Sequence, residues 1–148
     1  MEELPLLEAG IHDFELGAIG NHFLKDFPSS ATRKSLIDGL NAFVAHYSKI
    51  IGAPFELWID GSFTTHKVNP NDIDLVIFLP EDVINELSEE KKMRLKVLMD
   101  RATVKSKFGC DVLFCPSGDD ELRSYWRGWY GFDRDERAKG IARVMVAS

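Results

Sequence analysis

The chain contains 148 residues, of which 45% are hydrophobic and 28% are charged, and its formal net charge is −6 at pH 7. This profile is typical of one ordinary soluble domain, which can bury a core without disulfide bonds or a structural metal. The negative charge argues against a surface that wraps duplex nucleic acid by charge alone.

The N-terminal part of the chain, residues 1–52, is predicted to be a helical segment. Glycines and Pro28 break residues 1–28 into short pieces that lie over the core, with one short helix at most. From Ser30 onward, apolar residues recur at intervals of three and four, and Ser29 or Ser30 can cap the start. This pattern predicts an amphipathic helix that ends near Gly52. Its apolar positions are Leu36, Ile37, Leu40, Phe43, Val44 and Tyr47.

Three apolar runs predict the strands of a sheet. They are FELWID at 55–60, DIDLVIFL at 72–79 and CDVLFC at 110–115, each bounded by turn residues. Residues 81–107 predict a helix or a broken pair of helices, long enough to join parallel strands. Within them, the stretch KKMRLK at 91–96 has two alternatives, a solvated helix face or a local basic patch.

The segment after residue 117 is rich in aromatic residues. Residues 117–132 predict a cap and a helix, and GIARVMV at 140–146 predicts a last edge strand. No repeat or linker divides the chain, so residues 1–148 are interpreted as a single domain. The predicted fold class is α+β (α/β), a small mixed sheet flanked by helices, with a motif region at 55–115, an N-terminal helical segment at 1–52 and an aromatic C-terminal segment at 117–148.

The two cysteines indicate the compartment. Cys110 and Cys115 lie five residues apart, so in an extended run their side chains point to opposite faces and cannot pair. A reducing setting fits this arrangement. No signal-peptide pattern or membrane-spanning apolar run is evident in the sequence. We therefore expect a cytoplasmic protein with no membrane association.

Two aspartates stand at the mouth of the second strand. In an extended strand, Asp72 and Asp74 project from one face about 6 to 7 Å apart, and their charges repel. A divalent cation between them would offset this repulsion, since Mg²⁺ prefers a few carboxylate oxygens and completes its shell with water and substrate phosphate. The alternative is a turn formed by Asn71 and Asp72 after Pro70, with Asp74 exposed at a strand edge.

Two further features lie at the ends of neighbouring strands. Gly61 and Ser62 follow the first strand, where a glycine lets backbone N–H groups approach a phosphate and a serine adds a hydroxyl donor. Asp111 opens the third strand as Asp72 opens the second. Together these residues predict one constellation at one edge of the sheet.

The constellation resembles the nucleotidyltransferase superfamily, which includes DNA polymerase beta and the small bacterial antitoxin-type nucleotidyltransferases. The family pattern is an apolar strand ending in Gly-Gly or Gly-Ser, then Asp-x-Asp entering a strand, then a third acidic residue on a neighbouring strand. Here it reads LWIDGS, DIDLVIF and CDVLF. The resemblance implies a nucleotidyltransferase-like fold.

The resemblance also implies an activity. Asp72, Asp74 and Asp111 would be the catalytic and metal residues, holding Mg²⁺ or Mn²⁺, and Gly61 and Ser62 would bind the phosphates of a nucleoside triphosphate, expected to be ATP. An NMP would pass to a protein or RNA acceptor, such as a cognate toxin, in a toxin–antitoxin or phage-defence system.

The chain departs from the antitoxin-type pattern at one position and lacks the length for a second domain. Those relatives usually carry an arginine soon after the Gly-Ser, where this chain has Lys67 as the candidate phosphate contact. The chain is also too short for the helical second domain that larger relatives use. The alternative is therefore a non-catalytic binding protein on the same fold.

The remaining candidates are aromatic residues and histidines. Trp126 is expected in the core and Trp129 partly exposed, where it would mark an oligomer or partner surface with flanking arginines. His66 lies in a polar loop, either exposed or touching phosphate. His12, His22 and His46 lack metal-ligand spacing, which argues against zinc.

Overall fold

A five-stranded mixed sheet organises the chain in the computed structural model, which describes residues 4–132 and 138–147. The strands are β1 (Gly10–Phe14), β2 (Phe55–Asp60), β3 (Ile73–Leu79), β4 (Cys110–Pro116) and β5 (Gly140–Val146), in the spatial order β1-β5-β2-β3-β4. Strand β2 is antiparallel to both neighbours, whereas β3 and β4 are parallel and β1 and β5 are parallel.

Helices cover both faces of the sheet. They are α1 (Leu16–Leu24), α2 (Arg33–Ile51), α3 (Glu81–Asn85), α4 (Glu89–Leu98), α5 (Arg101–Phe108) and α6 (Asp120–Tyr130), and a 3₁₀ turn spans Gly61–Thr64. Buried residues of α1, α2, α4 and α5 form the larger core with one face of the sheet, and α6 packs on the other face. The fold is therefore mixed α/β, as predicted at this coarse level.

The amphipathic helix predicted from Ser30 to near Gly52 is α2. Its buried positions include every apolar residue of the predicted stripe. The Ser30 hydroxyl accepts hydrogen bonds from the backbone N–H groups of Thr32 and Arg33, at 3.3 and 3.1 Å. The helix ends at Gly52, whose φ of 65° is the left-handed conformation that glycine tolerates at a helix C-terminus.

The connection between β3 and β4 contains three helices. Helix α4 begins after Ser88, whose hydroxyl accepts from the Lys91 backbone N–H at 3.2 Å. Helix α5 begins after Asp100, whose carboxylate accepts from the Thr103 backbone N–H at 3.0 Å. These two caps explain why the predicted helical region breaks, and the connection joins parallel strands as expected.

Two predictions about the sheet are wrong. The segment GIARVMV forms β5, which is an interior strand and not an edge, because β1 pairs with it on one side and β2 on the other. Residues 1–52 are also not wholly helical, because they contain β1 before the two helices α1 and α2. Strand β1 has five half-buried or exposed residues, too few to show a period of two.

The cysteines lie as the spacing predicts. Cys110 and Cys115 are both buried and free, and they belong to the cores on opposite faces of the sheet. In the part of the chain that the structure describes, no helix combines the length and apolar character needed to cross a bilayer.

Candidate metal and nucleotide site

The candidate site lies where three strand ends meet. Because β2 is antiparallel to β3, and β3 is parallel to β4, the end of β2 and the beginnings of β3 and β4 share one edge of the sheet. In this register Asp74 lies opposite Asp60 on one side and Asp111 on the other. Carboxylate oxygens of Asp72, Asp74 and Asp111 lie within 4.8 Å of one another. The structure thus brings together the three aspartates named from the sequence.

Gly61 is required by the close approach of Asp74. Its φ is 84°, and a Cβ added there would lie 2.8 Å from Cγ of Asp74. A side chain at residue 61 would therefore collide with the central carboxylate of the site as well as strain the backbone. The Gly61 N–H donates to the Asp60 carboxylate at 2.7 Å. In this structure the N–H group that was expected to bind a phosphate therefore binds a carboxylate.

The other predicted phosphate contacts are placed differently. Ser62 is half-buried in the 3₁₀ turn, and its carbonyl accepts from the Thr65 hydroxyl at 2.7 Å. Lys67 is exposed, and its carbonyl accepts from Arg33. Among the hydrogen bonds and ion pairs of residues 4–132 and 138–147, none joins the Lys67 side chain to the three aspartates. These interactions therefore do not support Lys67 as a residue of the site.

Arg33 fixes the backbone that follows the Gly-Ser turn. Its buried guanidinium donates to the carbonyls of Phe63, Thr65 and Lys67 at 2.7 to 2.8 Å. It also donates to the Phe23 carbonyl, at 2.9 Å. Burial lowers the pKa of Arg33 to about 10. The sequence did not indicate a role for Arg33, because Arg33 precedes the apolar stripe of α2.

Sequence reasoning also missed the ion pair between Asp60 and Lys139. The Lys139 ammonium lies 2.6 Å from the Asp60 carboxylate, with side-chain exposures of 10% and 3%. Asp60 ends β2 as a charged residue after an apolar run, whereas Asp72 and Asp111 were identified because they open such runs. Lys139 had no local signal, because only the pairing of β5 with β2 brings it to the site.

Two cations of α5 pair with the outer aspartates. The Arg101 guanidinium donates to Asp111 at 2.8 Å, and the Lys105 ammonium lies 3.2 Å from Asp72. These residues stand four apart, so they lie on one side of the helix. Both cations are more than half exposed, and the pairs are of the exposed kind that contributes little to stability. They offset part of the negative charge of the aspartates and do not cover the site.

The central aspartate has the most perturbed electrostatics of the three. The pKa of Asp74 is raised to about 7, first by burial and then by the negative charges of Asp72, Asp111 and Asp60. Burial likewise raises the pKa of Asp60 to about 6, although Lys139 partly offsets this effect. Asp74 thus holds a proton more readily than an ordinary carboxyl group. This is expected for a carboxylate whose ionised form would need a cation to stabilise it.

Helix α6 covers the sheet face that carries Asp74 and Asp60. Tyr130 is buried beside the acidic group, and burial together with the nearby aspartates raises its pKa. Trp126 is half-buried and packs against this second core, whereas Trp129 is 63% exposed. The expected contrast between the two tryptophans is therefore present, although Trp126 is not fully buried.

The histidines do not add a second site. His66 is exposed in its loop, and the His12 ring lies 2.7 Å from the Glu8 carbonyl. In the described ranges, the aspartate triad is the only group of three or more His, Cys, Asp or Glu residues whose candidate ligand atoms lie close enough together to hold a metal ion. In the stretch KKMRLK, Leu95 is buried and the other five residues are exposed or half-buried, which fits a solvated helix face.

Comparison with known proteins places the chain in a family. A family model described as "Family of unknown function (DUF6932)" matches residues 1–145. The chain belongs to this family. Neither the search of curated proteins nor the search of solved structures found a match. Members of the DUF6932 family therefore supply no activity by analogy, and function must be argued from the site.

Proposed function

We propose that this member of the DUF6932 family is a metal-dependent nucleotidyltransferase that moves an NMP from an NTP to a protein or RNA acceptor. The observation that carries the proposal is the convergence of Asp72, Asp74 and Asp111 within 4.8 Å, at a sheet edge that also holds the Gly61 turn. The order of these elements along the chain supports a nucleotidyltransferase-like fold.

The donor set fits a hard divalent cation. All three candidate ligands are carboxylates, which suit Mg²⁺ and Mn²⁺, and the raised pKa of Asp74 marks a carboxylate that a cation would stabilise in its ionised form. Asp72, Asp74 and Asp111 would hold the metal. When bound, the metal would neutralise the charge of the triphosphate and polarise its α-phosphoryl group.

Residues of the chain would then bind the phosphates and accept the proton of the acceptor hydroxyl. Gly61 lets the turn approach the Asp74 carboxylate closely, which would keep a metal-bound phosphate near the turn, and the Ser62 hydroxyl can donate to that phosphate. Asp111 would accept the proton of the acceptor hydroxyl, whose oxygen forms a bond to the α-phosphorus as pyrophosphate leaves with the electron pair of the broken P–O bond. Arg33 would hold the loop that carries the turn.

The nucleotide, acceptor and setting follow the resemblance in the sequence. ATP is the proposed nucleotide, and a cognate toxin is one protein acceptor consistent with a role in a toxin–antitoxin or phage-defence system. A cytoplasmic location belongs to the same proposal. The exposed side chains of Arg101 and Lys105 support an anionic or polar acceptor next to Asp111.

A labelling experiment tests the activity. The protein is incubated with each of the four α-³²P-labelled NTPs, Mg²⁺ or Mn²⁺, and lysate as a source of acceptors. Transfer of label to a protein or RNA band by the wild type and not by Asp74→Asn would support the proposal. Asp38→Asn, in an exposed pair with Lys34, is the matched control. Absence of transfer, together with absence of metal binding, would refute it.

A second candidate is a non-catalytic binding protein on the same fold. It is favoured by Tyr125, Trp129 and Phe132, which are 57%, 63% and 52% exposed. Their spacing of four and three places them along one side of α6 and its end. Exposed aromatic residues of this kind often anchor a partner. This candidate predicts no transfer activity by the wild type, and association with a partner that is unchanged when the triad is replaced.

A further inference from the structure

We propose that Lys139 and Arg127 form the subsite for the polyphosphate tail of the nucleoside triphosphate, in the cavity between α6 and strands β1 and β5. This inference rests on the proposed function, because it names where that substrate would lie. It assigns the phosphate contact to a residue far along the chain from the Gly-Ser turn, in place of Lys67.

The topology puts Lys139 at the right edge of the sheet. Lys139 immediately precedes β5, and β5 runs antiparallel to β2, with Ala142 opposite Ile59. The beginning of β5 therefore lies beside the end of β2. Asp60, the last residue of β2, lies opposite Asp74 of β3. The Lys139 ammonium lies 2.6 Å from the carboxylate of Asp60. Lys139 thus stands between the acidic triad and the cavity.

The cavity has the size and lining for an anionic group. Its volume is about 200 Å³, many times the roughly 10–15 Å³ that one water requires. Lys139 and Arg127 are among its lining residues, and so are Gly10 and Gly131, which have no side chain to cover the backbone. Phe132 adds an aromatic edge. Two cations and bare backbone are features that recognise phosphate oxygens.

The positions of the basic residues favour a polyphosphate on the β2 side of the triad, where Lys139 lies. Arg101 and Lys105 lie on the β4 side of the triad, beside Asp111 and Asp72, where the acceptor hydroxyl would approach Asp111. The Gly61 turn lies on the β2 side, next to Lys139. A tail that extends from the triad past Gly61 would therefore meet Lys139 before any cation of α5.

The pair of Lys139 with Asp60 is a costly arrangement for stability alone. A buried ion pair often contributes no more than well-packed apolar residues would, because both charges lose their hydration. Asp60 also keeps its second carboxylate oxygen buried without a hydrogen-bond partner among the described residues, a further cost. We interpret Asp60 as a positioning residue that holds the Lys139 ammonium at the mouth of the cavity.

The test separates a structural role of the pair from a role in binding. The double variant D60N/K139M removes both charges at once, so no buried charge is left unpaired. Its matched control is E56Q/R123M, which removes another cross-element pair at the opposite end of β2, with N and O atoms 2.9 Å apart. Both variants and the wild type are titrated first with Mn²⁺ and then, at saturating Mn²⁺, with inorganic triphosphate, which carries no base.

The inference predicts a selective loss. D60N/K139M should bind triphosphate at least about tenfold more weakly than the wild type, since one charge-assisted contact is lost. Its Mn²⁺ affinity should stay within about threefold, and E56Q/R123M should match the wild type in both titrations. Unchanged triphosphate affinity in folded D60N/K139M would overturn the inference and leave the proposed function standing.

Two further outcomes are decisive. If the wild type binds no Mn²⁺, the proposed function fails, and the inference fails with it. If D60N/K139M does not fold, Arg127→Gln decides, because Arg127 is exposed and its replacement should leave the fold intact. Weaker triphosphate binding by Arg127→Gln would support the cavity as the subsite, and unchanged binding would overturn it.

Discussion

Asp60 and Asp74 lie opposite each other on adjacent strands, on one face of the sheet, and the buried ion pair seen among residues 4–132 and 138–147 joins Lys139 to Asp60. The charge of Asp60 contributes to the raised pKa of Asp74. Lys139 pairs with Asp60, and we propose that a metal stabilises Asp74, which lies between Asp72 and Asp111.

Replacing Asp74 by asparagine should relieve repulsion in the metal-free protein. We expect Asp74→Asn to raise the apo melting temperature or leave it unchanged, and to abolish any shift induced by Mg²⁺. Differential scanning fluorimetry with and without Mg²⁺ measures both effects, with Asp38→Asn as the control. A strongly destabilised apo variant would instead identify Asp74 as a structural residue.

The stability of the apo protein should depend on pH through Asp74. Its pKa is about 7 in the folded protein, against about 3.9 for an unfolded aspartate. The unfolded chain therefore releases this proton first, and stability falls as pH rises from about 4 to about 7, then levels off. Urea unfolding of the wild type and Asp74→Asn across this range should show the difference, and parallel curves would contradict it.

Metal affinity should change in the opposite sense with pH. A cation binds the ionised carboxylate, so Mn²⁺ affinity should rise as pH increases through about 7, where Asp74 loses its proton. Calorimetric titrations at pH 6 and 8 test this expectation. An affinity that does not depend on pH would exclude Asp74 as a ligand that must lose a proton.

Gly61 should be more sensitive to substitution than a glycine with similar backbone geometry. Gly61 and Gly52 both have positive φ, but a Cβ would meet Asp74 at residue 61 and nothing within 4 Å at residue 52. We expect Gly52→Ala to cost on the order of 1 kcal/mol and Gly61→Ala to cost more and to impair metal binding. Chemical unfolding and Mn²⁺ titration compare them, and equal effects would contradict the close approach of Asp74.

The cation of α5 that pairs with Asp72 should compete with metal. Removing it by Lys105→Gln should strengthen Mn²⁺ binding by up to about fivefold, the range for an exposed ion pair, and added salt should reduce the difference. Lys107→Gln is the control, because Lys107 is exposed on the same helix and its ammonium lies over the Phe108 ring. Weaker binding by Lys105→Gln would show that Lys105 supports the metal site.

The two tryptophans of α6 should respond differently to truncation. Trp126 packs against the second core, so Trp126→Ala should cost roughly 2 to 4 kcal/mol, near the lower end of the range for large core residues. Trp129 is 63% exposed, so Trp129→Ala should change stability by about 0.5 kcal/mol or less and weaken only association. Thermal melts and size-exclusion profiles separate these outcomes. Equal destabilisation by both would remove the case for a partner surface at Trp129.

The sequence predicted those parts of the fold whose signal is local. Helix α2 has nineteen residues with a regular apolar stripe, and β2, β3 and β4 each have long apolar runs, so their positions could be inferred from periodicity. The triad could be inferred because each aspartate stands at the start of such a run. The short strand β1 and the interior position of β5 could not, because they depend on a pairing between distant segments.

The same limit applies to the site. Lys139 and Arg101 reach the acidic group only through the packing of β5 and α5 against the sheet, and nothing near them in the sequence indicates an aspartate partner. Lys67 is near the Gly-Ser turn along the chain, yet Arg33 binds its carbonyl, and no hydrogen bond or ion pair of the described residues joins its ammonium to the aspartates. Proximity in sequence was therefore a poor guide to which cation belongs to the site.

The pairing of β1 with β5 has a consequence for the order of folding. It joins residues as far apart as Gly10 and Gly140, a contact with a large loop-closure cost. During synthesis β2, β3 and β4 can assemble with the triad well before β5 is made, whereas β1 must wait for its only strand partner in the described sheet. The end of the sheet that carries Asp72, Asp74 and Asp111 would thus form early, and Lys139 would pack against it last.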